Sequence, residues 1–351
     1  MINKRQFYSQ KGFSLIELMI ALVIGLILIA GVLQVFVGST VTYSMQSGLS
    51  KIQENGRFAM SFLARDLRQA GFSGCSGEST IANTLRDASG ALPSYLDFTA
   101  SVGGVDNVAG LVLGTNTVAP GSDVVEVRYA DSAGGCDLSI GDHNANSAQF
   151  KCQKNHNFVK GDILVVTDCK TTAIFQQTNV NNNGTVATVN HNTGNSTDIG
   201  NCTKFLGSPV NCPTGTKYEF NSGSVLRMVF YRYFVATNSL GEPALFRQSV
   251  SNNAGVTGTT ADELVEGIED MQILYGEDTS GDGNADYYVP FDEVTDDDDI
   301  ISIRVSLLVR SIEDSIVQGG QTLAFNGANP TFNDGHLRKV FTTTIALRNR
   351  L

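Results

Sequence analysis

The chain has 351 residues, 42% of them hydrophobic and 17% charged, enough for one large or two small cores. Its 24 Lys and Arg against 35 Asp and Glu give a formal net charge of -11, which excludes a generalised nucleic-acid-binding surface, because that mode needs clustered cations to displace counterions from phosphate. All six cysteines (Cys75, Cys136, Cys152, Cys169, Cys202 and Cys212) follow an apolar N-terminal segment and none forms a CxxC pair, so zinc-ribbon and thioredoxin chemistry are disfavoured and disulfides in an oxidising compartment are expected.

Residues 1–12 are short and polar, with Lys4, Arg5 and Lys11 and no acid. From Leu18 to Val37 the chain is apolar except for Gln34. At ~1.5 Å per residue that run covers ~30 Å as a helix, the thickness of a bilayer core. Basic residues ahead of the span place the N-terminus in the cytoplasm and export the bulk of the chain. The run is too long for a cleaved secretory signal, and no A-x-A-like site follows it. A plain signal anchor leaves Glu17 unexplained, since a carboxylate at the edge of a span is costly without compensation.

The run Lys11-Gly12-Phe13-Ser14-Leu15-Ile16-Glu17 resembles the prepilin cleavage and methylation motif. The resemblance implies that a prepilin peptidase cuts between Gly12 and Phe13 on the cytoplasmic side, releasing a leader of residues 1–12, and that Phe13 is then N-methylated. The mature chain would lose three basic residues and no acid, taking the formal charge from -11 to -14. In a filament of bundled apolar helices, Glu17 needs a cationic partner, and the Phe13 amine of a neighbouring subunit supplies one. Such a pair sets axial register more than it adds stability.

Beyond the span, apolar residues recur at Met45, Leu49, Ile52, Ala59, Phe62 or Leu63, Leu67 and Ala70, a three-and-four spacing that predicts a helix. Gln46, Ser50, Gln53, Glu54, Arg57, Arg65, Asp66 and Arg68 fill the other positions, and Gly71, Gly74 and Gly77 end the pattern. One helix is therefore expected from about Phe13 to Ala70. Residues 13–40 form a transmembrane and polymerisation segment, and residues 41–75 an amphipathic half that packs on a head of residues 76–351. Within that half, Ile52-Gln53-Glu54-Asn55-Gly56-Arg57-Phe58-Ala59 and Phe62-Leu63-Ala64-Arg65-Asp66-Leu67-Arg68-Gln69-Ala70-Gly71-Phe72 resemble the minor pilin PilW family. So do Gly161-Asp162, Asp168-Cys169, Ile174-Phe175-Gln176, Leu245-Phe246-Arg247 and Val305-Ser306-Leu307-Leu308-Val309-Arg310-Ser311.

After residue 77 the pattern becomes strands separated by Gly, Asn, Ser and Thr loops. Candidate strands are Val124–Tyr129, Asp162–Thr167, Leu226–Val235, Ala244–Gln248, Ile268–Tyr275, Ile300–Ser311 and Lys339–Leu347. Ile301, Ile303, Val305, Leu307 and Val309 alternate, which buries one face of that strand. Short strands without intervening helices predict an antiparallel sheet. The expected fold class is α+β and type IV pilin-like, a helical stem bearing an antiparallel β-sheet head. The Asn-, Thr- and Gly-rich stretch 179–201 reads as an exposed loop.

Catalytic signatures are lacking. His143, His156, His191 and His336 share no metal-ligand spacing, and there is no GxSxG elbow or P-loop. The reading is a non-enzymatic protein that requires no cofactor. One acidic loop suggests a structural calcium ion: Asp278, Ser280, Asp282, the carbonyl of Asn284, and Asp286 stand at alternate positions around a glycine, as in an EF-hand loop. The twelfth position is Val289 rather than a bidentate Glu, and the competing reading is a solvated hairpin turn. The run 296–299 reads as a solvated turn before a strand. Cys202–Cys212 is expected as a disulfide because Pro209 and Pro213 restrict the short chain between them. Cys136–Cys152 and Cys75–Cys169 would complete one of ~15 possible connectivities.

The resemblance implies a minor pilin of a type IV pilus, incorporated into the filament or its assembly-priming tip complex, with twitching motility and adhesion depending on it. Implied partners are other minor and major pilins, the prepilin peptidase, the inner-membrane assembly machinery and membrane lipid, with no direct nucleic-acid binding. The chain would sit in the inner membrane as a single-pass protein, head in the periplasm, before reaching the pilus surface. The alternative is a minor pseudopilin of a type II secretion system, which shares the processing motif.

Overall fold

The computed structural model describes residues 12–75, 79–152, 156–181, 186–194, 199–253 and 256–349. A single helix, α1 (Leu15–Leu67), forms the stem. Its 53 residues make it ~80 Å long. It is shorter than the periodicity predicts, since residues 68–71 form a turn in which Gly71 adopts a φ of 76°. The Gly71 N–H then donates to the carbonyl of Arg128, and Ala130 donates back to Phe72, so the stem hands the chain directly to the head.

The head follows as strands β1 (Thr80–Asn83), β2 (Val102–Val105), β3 (Val124–Leu138), β4 (Gln149–Cys152), β5 (Ile163–Thr167) and β6 (Thr171–Gln176). Then come β7 (Asn179–Asn181), β8 (Ala187–Asn190), β9 (Gly223–Thr237), β10 (Pro243–Asn253) and β11 (Val256–Glu266). The last four labelled strands are β12 (Ile268–Glu277), β13 (Tyr287–Val289), β14 (Ile300–Arg310) and β15 (Arg338–Ala346).

An eight-stranded sheet is organised on β9. One edge of this strand pairs with β3, which in turn pairs with β2. The other edge pairs with β5 over Ser224–Arg227 and then with β10 over Tyr231–Thr237. The sheet continues through β6 to β1 on one side and to β11 on the other. One pairing departs from the expected antiparallel head: β1 and β6 are parallel. The physical reason is a tether. Cys75, just before β1, is disulfide-bonded to Cys169, just before β6, so both strands leave the same point and run the same way.

The second sheet has the order β13-β12-β14-β15 and lies against the stem. Ile303, Val305, Leu307 and Val309 of β14 are fully buried in one core with Ile52, Ala59, Leu63 and Leu67 of α1. The period-2 face of a strand thus meets the three-and-four face of a helix.

The described parts of the stretch 179–201 are not an open loop, and residues 182–185 and 195–198 lie outside the described residues. β7 and β8 form a hairpin, and β8 pairs with β4 in a register that sets Val189 opposite Phe150. Val189 and His191 are buried, in a core with Phe150, Phe175 and Phe220. Polar composition misleads here because the apolar partners come from distant strands. Two further disulfides, Cys136–Cys152 and Cys202–Cys212, staple this part of the head.

Candidate assembly site

The stem begins with two mutually supporting hydrogen bonds. Ser14 is extended, and its Oγ accepts from the Glu17 N–H at 3.2 Å. The Glu17 carboxylate reaches back to accept from the Ser14 N–H at 2.9 Å. This capping box satisfies two of the donors that a helix start leaves open. The Ser-x-x-Glu spacing announces it in the sequence, although Glu17 reads there only as a register carboxylate. Gly12 and Phe13 precede the helix, and Phe13 is 87% exposed. Leader residues 1–11 lie outside the described residues.

From Leu15 to Val37 the apolar side chains stand bare of any cover from the head. α1 is the one helix among the described residues long and apolar enough to cross a membrane. A surface this apolar needs a bilayer or other apolar helices around it.

The upper half of α1 is anchored to the head. Its approach to β15 is close, because a Cβ at Gly56 would stand 2.5 Å from the Phe341 ring. At the top of the same face lies Asp66, which is fully buried. Its carboxylate accepts from the Tyr233 hydroxyl, from the Tyr129 hydroxyl at 3.5 Å and from Arg65 Nε at 2.9 Å. Arg247 Nη1 stands 3.6 Å away, with its guanidinium 4.2 Å from the Tyr231 ring centre. Burial, reinforced by the Asp66 charge, pushes both phenols well above the ordinary tyrosine range. Composition places Asp66 among the outward polar residues. Its position three after Leu63 and seven after Ala59 puts it on the buried face, which is the signal that identifies it.

Residues 8–33 match the family described as the prokaryotic N-terminal methylation motif. Residues 232–349 match Type IV Pilus-assembly protein W, PilW. The chain carries a PilW-family domain. The comparisons with curated proteins and with solved structures gave no match.

The PilW-family domain holds Tyr233 and Arg247 of the Asp66 cluster and every strand of the stem-facing sheet. The matched region thus holds much of what grips the stem, while Arg128 and Tyr129 contribute from outside it. It begins at residue 232, so segment 52–72, where the resemblance in sequence is densest, lies outside it. The disulfides and the buried histidines lie outside it as well.

Within the PilW-family domain, the acidic loop 278–286 closes on itself. Asp278 accepts from Ser280 Oγ at 3.2 Å and from the N–H groups of Gly281 at 2.7 Å, Asp282 at 3.2 Å and Gly283 at 2.6 Å. Asp286 accepts from the N–H groups of Thr279 at 2.9 Å and Ser280 at 3.0 Å. Burial opposes ionisation of Asp278, but these loop donors outweigh it and hold the carboxyl below the usual range. Among the described residues, no group of three or more His, Cys, Asp or Glu is arranged to hold a metal ion. The Asp278 and Asp286 carboxylates of the expected calcium set (Asp278, Ser280, Asp282, Asn284 and Asp286) serve the turn in this structure, and the turn and the cation site predict different melting behaviour. Asp278→Ala is expected to lower the Tm by the same amount in calcium and in chelator. A calcium-induced rise in the wild-type Tm, absent from Asp282→Ala, would establish the cation site instead.

Proposed function

We propose that this chain is a minor pilin of a type IV pilus, cleaved after Gly12 by a prepilin peptidase, methylated on Phe13 and incorporated into the filament or its assembly-priming tip complex. The observation that carries this reading is the presence, on one chain, of a prepilin-type motif over the bare apolar part of the stem and a PilW-family domain in the head. In this reading the partners are other pilins, the peptidase, membrane lipid and the inner-membrane assembly machinery. The head resides in the periplasm until the stem is extracted into the filament. The PilW match supports a pilus over a secretion pseudopilus.

Glu17 has two uses in this scheme. In the single chain it caps its own helix through the Ser14 N–H. In a water-free bundle its charge requires a cation, and the cleaved Phe13 amine of a neighbour supplies one. Mass spectrometry of the purified mature chain tests the proposal. The expected mass lacks residues 1–12 and carries one methyl group on Phe13. Gly12→Trp should leave precursor alone, and a mature-sized product from that variant would overturn the cleavage assignment.

A further inference from the structure

Between the upper stem and the free edge of β15 lies a groove of about 990 Å³. Arg57, Arg65 and Arg68 of α1 line it together with Arg348, just beyond β15, while Phe72 and Phe341 supply apolar surface. Among the described residues, no Asp or Glu lines it. Arg65 is engaged by Asp66, but Arg57, Arg68 and Arg348 make no ion pair among the described residues. In a chain whose 35 acids outnumber 24 bases, four arginines with one carboxylate between them, the Asp66 that engages Arg65, are a local reversal of sign. Gathered guanidinium groups repel one another, and an incoming carboxylate relieves that repulsion while matching their planar donor geometry.

The complementary surface lies on the same sheet. The strand order β13-β12-β14-β15 puts β13 on the edge opposite the groove. Around β13, and in the segment leading into β14, Asp282, Asp292, Glu293 and Asp296 are exposed. The upper end of the groove is also level with the acidic segment. Leu347 N–H donates to the Ile301 carbonyl, so Arg348 stands beside the start of β14, and the acidic segment runs into that same start at Ile300. Asn349 Nδ2 donates to the Gln69 and Ala70 carbonyls at 3.3 and 3.1 Å, fixing this end of the chain against the top of the stem.

We propose that the arginine groove docks the acidic β13 edge of a second copy of this chain. Opposite charges on opposite edges of one sheet make a head-to-tail contact. Such a contact does not close on itself in a two-fold dimer and propagates around an axis. The inference deepens the filament reading and rests on it for the side-by-side setting of the heads.

The test uses the full mature chain in detergent micelles, which cover the apolar stem, with sedimentation velocity as the readout. The wild type should self-associate at low salt and do so about tenfold more weakly in ~1 M salt, where the Debye length is ~3 Å. A groove variant, Arg57→Glu with Arg68→Glu, and an edge variant, Asp292→Lys with Glu293→Lys, should each be monomeric alone. Mixed together, the intact edge of the first meets the intact groove of the second and the two reversed faces are complementary as well, so association should return. Wild type that stays monomeric at low salt, or association that survives in either variant alone, would overturn the proposal. Cleavage after Gly12 is scored in the same preparation, so a correctly processed chain that fails to associate rejects the docking and leaves the filament reading standing.

Discussion

Replacing Asp66 by alanine is expected to destabilise the head by roughly 3–5 kcal/mol, the range for removing one partner from a buried charged cluster. The loss arises from what remains. The hydroxyls of Tyr233 and Tyr129 lose their acceptor in a site sealed from water, and Arg247 keeps a half-buried charge without its carboxylate. The same change leaves a cavity between α1 and β9, so the stem loses its fastening at the point where it enters the head. Asp66→Asn keeps an acceptor for one phenol and gives up the charge, and should lose an intermediate amount. Thermal unfolding of the mature chain in detergent measures both. At ~2–4 °C per kcal/mol for a domain somewhat smaller than this head, the alanine variant should melt roughly 10 °C lower. A wild-type Tm in that variant would mean that the helix–sheet contact is held by apolar burial alone. Asp66→Leu would then be tolerated too, as replacement of a buried charge by a well-packed apolar group sometimes is.

Acidification should weaken the disulfide-stapled part of the head before the surface carboxylates titrate. His143 and His191 lie 5.8 Å apart between ring centres, enclosed by Phe150, Phe175 and Phe220. His143 Nδ1 accepts from the Phe220 N–H at 3.1 Å, a bond available to the neutral ring. Burial pushes His143 down to about 4, against the pull of Glu219. Burial, aided by the neighbouring His143 and opposed by the Lys204 backbone, pushes His191 down to about 3. Both folded-state values lie below that of the unfolded chain, which takes up protons as the pH falls through ~6.5. The stability these rings contribute is therefore complete above pH ~6.5 and is lost progressively down to about 4 and 3. The loss is on the order of several kcal/mol for the pair.

Asp123 works in the opposite direction. Burial lifts it to about 7, although the N–H groups of Asn107 and Ile273 favour its ionised form. A difference measurement separates the two. His191→Phe fits an aromatic cage and removes one of the titrating groups, so its loss of Tm between pH 7 and pH 4.5 should be clearly smaller than that of the wild type. Equal losses in the two proteins would remove His191 from the account of acid sensitivity.

The sequence by itself determined the stem. An uninterrupted apolar run and the three-and-four spacing after Met45 are each read within one or a few helical turns, because a helix bonds residues four apart. The same holds for the alternation in β14, whose buried face needs only one strand to be visible. The processing motif is local too, and the family match falls on it.

Only the tertiary structure decided what those faces meet. The Tyr233 hydroxyl reaches Asp66 across 167 positions of sequence, so helical spacing marks Asp66 for the buried face but nothing nearby supplies the partner that makes its burial favourable. Val189 and His191 sit in a polar stretch and are buried by aromatic residues from other strands. The parallel pairing of β1 with β6 follows from the Cys75–Cys169 tether across 94 positions, and the arginine groove unites residues 57–68 with residue 348. Periodicity specifies which face of an element is buried, whereas partners are chosen by contacts between residues far apart in the chain. Buried polar and charged groups are where the two diverge most, because burying them is favourable only when those distant partners arrive.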